Sequence, residues 1–244
     1  MSHADLQTHE HDVRWTAVDR YTFTHLHPSS SSTTPPNTAL EAAINNCRTN
    51  NLPDIAVSPS QGKFLMLQAR LLRAAHILEV GTLGAYSTIW LAYASPNVYV
   101  TTVEVDERHA RVARQNLEAA GVSERVEIVV GRALDVLPRL RDEVERGERE
   151  GFEFVFVDAD KENSWAYFDE SVRMCRPGAC VVVDNVVRKG QIADEEVAER
   201  DSRVRGGRVV VENVGKDKRV DAVVMQTVGE KNYDGFLIAV VKDS

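Results

Sequence analysis

Five short apolar runs between residues 76 and 184, separated by stretches of helical periodicity, restrict this chain to few folds. The runs are HILEV (76–80), VYVTTVEV (98–105), RVEIVV (125–130), FEFVFVD (152–158) and ACVVVD (179–184), all short and rich in β-branched residues. Helical patterns fill the intervals at 86–94, 107–120, 133–145 and 163–175, and Gly121 closes the second of them. Nearly continuous apolar runs belong to strands buried on both faces, and repeated strand–helix–strand units wind into a parallel sheet through right-handed crossovers. An α/β fold follows, with a mostly parallel sheet and helices on both faces. RVDAVVMQTV (219–228) and GFLIAVV (235–241), joined by GEKNYD, add an antiparallel hairpin at the C-terminal end. Two helices precede the sheet. The first begins at Thr38, shows Leu40, Ala43, Ile44 and Cys47 on one face and stops before Pro53 and Asp54, and the second begins near Ser60.

The 244 residues fit one catalytic domain over 38–244, preceded by a polar segment, 1–37, whose Ser/Thr/Pro run is expected to be flexible. Residues 188–218 are charged and glycine-bearing, which predicts a mobile stretch followed by a helix. A formal net charge of −8 disfavours nucleic acid and anionic membranes as partners. Cys47, Cys175 and Cys180 have neither metal-ligand nor redox spacing and read as reduced thiols. With no signal-peptide pattern and no apolar run of membrane-spanning length, a cytoplasmic location is expected. His3, His9 and His11 are too loosely spaced to make a metal tract.

In an open parallel sheet, ligands sit beyond the carboxyl ends of the strands. The first such end carries EVGTLGAYS, where Gly81 permits a sharp turn and close approach to a ligand. Its G-x-x-G spacing lacks the third glycine of the dinucleotide fingerprint, so a nicotinamide-dependent oxidoreductase is the weaker alternative. Glu104, ending the second strand, suits the two ribose hydroxyls of an adenosine ligand, and Glu79 is either a partner for an amine or a solvated turn residue. The fourth and fifth strands end in Asp158 with Asp160 and in Asp184 with Asn185. Asp158, Asp184 and Asn185 would converge as three hard oxygen ligands suited to Mg²⁺, against the simpler possibility that such residues cap turns. Lys161 is a surface lysine or, inside the same pocket, a general base whose pKa a neighbouring metal ion and bound sulfonium would lower.

Taken in order, ILEVGTLGAYST, VEVD, GRALDVL, FVFVDADKEN, PGACVVVDNVVRKG and YDGFLIAVV resemble the cation-dependent O-methyltransferases typified by the caffeoyl-CoA and catechol enzymes, from about Leu40 onward. The resemblance implies a seven-stranded, Rossmann-like class I methyltransferase sheet, S-adenosylmethionine as methyl donor, a divalent cation, a phenolic small-molecule acceptor and a homodimer. Carried onto this chain, it implies a metal on Asp158, Asp184 and Asn185, a catalytic base at Lys161, and Asp158 close to both ligands. It also implies cofactor contacts from Val57, Glu79, Gly81, Thr82, Ser87, Glu104, Ala133, Asp158 and Asp160. Trp165, Tyr167 and residues 186–205 are candidates for the acceptor wall. Ala85, PGAC and Lys189 depart from the family pattern, the last at a substrate-contacting position of the plant enzymes. A catalytically silent binding protein of the same fold is the remaining alternative.

Overall fold

Ile77 and Leu78 are neighbours in the first strand, yet they pack into different cores. That alternation is the two-residue period of a strand buried on both faces. The computed structural model describes residues 12–28 and 34–243. Within them the strands are β1 (His76–Val80), β2 (Tyr99–Glu104), β3 (Val126–Val130), β4 (Phe152–Val157), β5 (Cys175–Val183), β6 (Val220–Val228) and β7 (Tyr233–Val241). They form one sheet of order β3-β2-β1-β4-β5-β7-β6, parallel except where β7 pairs with β5 and β6. The order in which strands are added switches sides between the parallel neighbours β1 and β4, and there the carboxyl ends of adjacent strands open a crevice.

The helices are α1 (Val13–Leu26), α2 (Asn37–Thr49), α3 (Pro59–Leu71), α4 (Tyr86–Ala92), α5 (Glu107–Ala119), α6 (Ala133–Glu145), α7 (Ser164–Met174), α8 (Glu195–Arg200) and α9 (Ser202–Val214). One core joins Leu65, Met66, Trp90 and Leu117 to Ile77, Phe154 and Phe156; the other joins Leu137, Phe168 and Val210 to Leu78, Val155 and Val181. Local chemistry sets several boundaries. Asp106 accepts hydrogen bonds from the Arg108 and His109 amides to start α5, and Gly121, at φ +68°, takes the left-handed position just after α5 ends.

Several boundaries and two segments differ from the sequence expectation. β5 begins at Cys175 rather than 179, through a register break between Phe152 and Phe154 that local pattern cannot reveal. α4 stops at Ala92 rather than 94, and β7 begins at Tyr233 rather than 235. Residues 188–218 carry two helices rather than one, each with an aspartate cap, Asp194 or Asp201. Within the segment expected to be flexible, α1 is helical because tertiary contacts hold it. Phe23 lies edge-on to Trp90 at 6.5 Å, and Asp19 accepts from Ser60 Oγ at 3.3 Å and from the Glu230 amide at 2.8 Å. His3, His9 and His11 lie outside the described residues.

Cys47, Cys175 and Cys180 are free thiols. No helix among the described residues is long and apolar enough to cross a membrane.

Candidate cofactor and metal site

The loop after β1 is held in a shape only particular residues tolerate. Gly81 sits at φ +104°, and a Cβ there would lie 2.3 Å from the Asp158 carbonyl oxygen, so the two strand ends touch through their backbones. Gly84 packs against α2, where a Cβ would meet Cys47 Sγ at 2.0 Å, and its carbonyl accepts from Asn116 Nδ2 at 2.8 Å. Leu83 and Ala85 are also left-handed, at φ +50° and +63°. Ala85 carries there a strain that glycine would not, of roughly 1 kcal/mol.

Two carboxylates brace this loop. Glu104 Oε2 accepts from the Leu83 amide at 2.7 Å, while Oε1 accepts from the Asp106 amide at 2.9 Å. Glu79 points to the same face as Ile77, and its Oε2 accepts from Thr88 Oγ1 at 2.5 Å and Thr102 Oγ1 at 2.6 Å. Its other oxygen is buried without a partner among the described residues. Burial pushes the Glu79 carboxyl up to about 7, the Asp158 charge adds to the rise, and hydrogen bonds from neighbouring hydroxyls oppose it. Glu79 is therefore not a solvated turn residue.

A cavity of about 780 Å³ opens over these strand ends. Val57, Gly81, Thr82, Ser87, Glu104, Ala133, Asp158, Asp160 and Lys161 all line it, together with Asn185. Glu79 does not; it stands behind Ser87 and Thr88, fully buried. Tyr167 lines the cavity and donates to Asp160 Oδ1 at 2.5 Å. Trp165 lies outside the cavity, stacked on Phe168 at 5.9 Å, and is a packing residue.

On the other side of Gly81, β4 and β5 run in register from Val155 paired with Val181 to Val157 paired with Val183, which brings Asp158 beside Asp184. Asp184 is 7% exposed and accepts from Gln61 Nε2 at 2.8 Å, so α3 holds it from below. Burial, then the Asp158 charge, raise the Asp184 pKa, the signature of like charges crowded out of water. Asn185 is left-handed at φ +54°, and its Nδ2 donates to Asp234 Oδ2 at 3.3 Å, which commits the amide nitrogen elsewhere. Among the described residues no three of His, Cys, Asp and Glu gather at metal-binding spacing; this donor set is two carboxylates and an amide.

Lys161 Nζ donates to Asp158 Oδ1 at 2.5 Å. Without metal or cofactor the Lys161 pKa is raised. Burial does lower it, but the Asp158 charge, the Asp184 charge and the hydrogen bond outweigh burial, and the net shift is upward. Gln61 and Asp234 were not identifiable from sequence. Each acts across more than 45 residues of chain, Gln61 on Asp184 and Asp234 on Asn185, and nothing local to either residue signals it.

The family model for O-methyltransferases matches residues 29–239. The O-methyltransferase imqG of Aspergillus flavus is 48% identical over 236 residues, covering 97% of this chain and 94% of that protein. A catechol O-methyltransferase of Mycobacterium tuberculosis is 47% identical over 205 residues, covering 84% of this chain and 89% of that protein. Among solved structures, the O-methyltransferase from Bacillus cereus, determined in complex with SAH, superposes with a TM-score of 0.85 at 44% identity, covering 94% of this chain and 99% of that one. With its seven-stranded Rossmann-like sheet and these relatives, the chain belongs to the S-adenosylmethionine-dependent O-methyltransferase family.

Proposed function

We propose that this enzyme transfers a methyl group from S-adenosylmethionine to a phenolic hydroxyl of a catechol-like small molecule, with a divalent cation, most simply Mg²⁺, on Asp158, Asp184 and Asn185. The observation that carries the reading is the position of Asp158: its backbone closes the Gly81 turn and its side chain stands beside Asp184 and Lys161. The cavity fits the donor. Gly81, Thr82 and Ser87 line the wall beside the strand end, and the Glu104 carboxylate suits a ribose. A metal fits as well, since the half-buried Asp158 and the buried Asp184 carboxylates repel one another and offer hard oxygen donors.

When bound, the donor supplies an electrophilic methyl group and the metal lowers the pKa of a chelated hydroxyl. The remaining chemistry belongs to the chain. Asp158 and Asn185 line the cavity and orient the acceptor's two oxygens. Lys161 Nζ is the proton acceptor. With Asp158 and Asp184 neutralised, burial is the main remaining influence on Lys161, and it favours the neutral amine.

Two further features complete the proposal. The edge strand β6 presents Val223 and Met225 on one face at 53% and 49% exposure, a surface suited to a second copy of the chain in a homodimer. Free thiols at Cys47, Cys175 and Cys180 suit the reducing cytoplasm, and the net charge of −8 argues against nucleic acid or an anionic membrane as partner. The deciding experiment is turnover of catechol with S-adenosylmethionine in EDTA, then with Mg²⁺ restored. Activity that EDTA abolishes and Mg²⁺ returns is expected; undiminished turnover in chelator defeats the metal's role.

A further inference from the structure

Arg188 stands three residues beyond Asn185 and lines the cavity alongside Asp158 and Lys161. Its backbone is fixed in an unusual conformation. Arg188, Lys189 and Gly190 are all left-handed, at φ +52°, +57° and +81°, and the Arg188 amide donates to Asp234 Oδ1 at 2.8 Å. Holding two non-glycine residues in that region costs energy, so the surroundings must impose it. The effect is to fix the direction in which the side chain leaves the loop.

The guanidinium is felt electrostatically by Asp234 but forms no ion pair with it. Asp234 is the carboxylate beside it, but Oδ1 also accepts from the Gly235 amide at 2.9 Å and Oδ2 from Asn185 Nδ2 at 3.3 Å. Among the described residues Arg188 forms no ion pair, and its Nε is buried without a hydrogen-bond partner. Its positive charge nevertheless reaches Lys161 and Asp234, which places it in the same electrostatic neighbourhood as the proposed base. The contrast with Arg203, another residue of the cavity wall, is direct. Arg203 is more than half exposed and pairs with Asp201 through Nε at 3.1 Å and Nη2 at 2.9 Å.

A cation in a cavity with an unsatisfied, solvent-excluded N–H is completed by a planar anion that can take parallel hydrogen bonds. We propose that Arg188 determines specificity by pairing with a carboxylate on the acceptor, so that the preferred acceptors are catechols carrying an acidic substituent. The proposal rests on the reading of the site as a catechol O-methyltransferase. A neutral catechol leaves the Arg188 donors unpaired, and an acceptor bearing an ammonium group meets repulsion from both Arg188 and Lys161.

The test compares 3,4-dihydroxybenzoate, catechol and dopamine as acceptors for the unaltered enzyme, Arg188→Met and Arg188→Glu. The kcat/KM ratio of acid to catechol should fall roughly ten- to a hundredfold in Arg188→Met, as expected for loss of a charge-assisted pair, with the loss mainly in KM. Arg188→Glu should shift preference toward dopamine. A second measurement is calorimetric titration of 3,4-dihydroxybenzoate into protein saturated with S-adenosylhomocysteine and Mg²⁺, where Arg188→Met should bind at least about tenfold more weakly. Equal kcat/KM for acid and catechol in the unaltered enzyme, or binding of the acid that Arg188→Met leaves unchanged, overturns the proposal. If the acid binds in an Arg188-dependent way and no catechol is methylated, the carboxylate site stands and the methyl-transfer reading falls.

Discussion

Gly81 and Asp158 are in backbone contact: a Cβ on residue 81 would lie 2.3 Å from the Asp158 carbonyl oxygen and 2.8 Å from its carbonyl carbon. The turn proposed to bind the methyl donor and the strand end proposed to bind the metal are thus one rigid unit. Gly81→Ala combines a left-handed φ that alanine resists with a collision against backbone that cannot swing aside. The variant is expected to lose about 2–4 kcal/mol of stability in urea unfolding, within the usual range for such strain. S-Adenosylmethionine binding by calorimetry should weaken together with metal binding. Loss of one with the other intact would separate the two halves of the site.

Lys161 and the proposed metal would compete for one carboxylate, since Lys161 Nζ donates to Asp158 Oδ1 at 2.5 Å. Lys161→Met removes the cation that neutralises Asp158 and Asp184. Added Mg²⁺ should therefore raise the Tm of this variant more than that of the unaltered protein, because the two carboxylates are left more in need of a counter-charge. Its kcat should fall about 10²–10⁴-fold, the usual worth of a positioned general base. A variant that keeps its turnover shows that Lys161 is only a counter-ion.

The strand ends were legible because apolar runs in parallel sheets are continuous and their last polar residue stands out, as Glu104, Asp158 and Asp184 do. Residue types at those ends then carry the proposed ligand chemistry. What sequence could not show is the support beneath them. Gln61 reaches Asp184 from α3, Asp234 anchors Asn185 from β7, and the upward shift of Lys161 depends on two carboxylates from different strands. Each is a long-range relation fixed only once the sheet closes. The N-terminal helix is invisible to local pattern for the same reason: a polar segment acquires its order from contacts with Trp90, Ser60 and the turn at Glu230.

Glu79 makes the ligand-free protein sensitive to pH. Its carboxyl titrates at about 7 when folded, against an ordinary value of 4.5, so the folded state binds the proton more tightly than the unfolded chain. Stability from this group is full below 4.5 and declines as pH rises to about 7, where the buried carboxylate ionises. Glu79→Gln keeps a neutral group and removes the decline. Relative to the unaltered protein, the variant should gain about 3 kcal/mol between pH 4.5 and 7.5, as an order of magnitude from the size of the shift. Urea unfolding at the two pH values without cofactor measures it, and a difference that does not move with pH would refute the assignment.

Gly206 extends the support of Lys161 to α9. A Cβ there would lie 2.0 Å from the Lys161 carbonyl oxygen and 2.9 Å from Glu162 Cα, so the helix rests directly on the backbone that carries the proposed base. Helix propensity alone predicts that Gly206→Ala stabilises by about 0.5–1 kcal/mol. Packing predicts the opposite sign, because the clash is with backbone and either α9 or Lys161 must move. Destabilisation is therefore expected, together with a fall in kcat of up to about a hundredfold from a misplaced Lys161. Affinity for S-adenosylhomocysteine should change far less, because Gly206 stands against Lys161 and Glu162 rather than against the Gly81 turn. A more stable variant with unchanged kcat would show that α9 does not position the base.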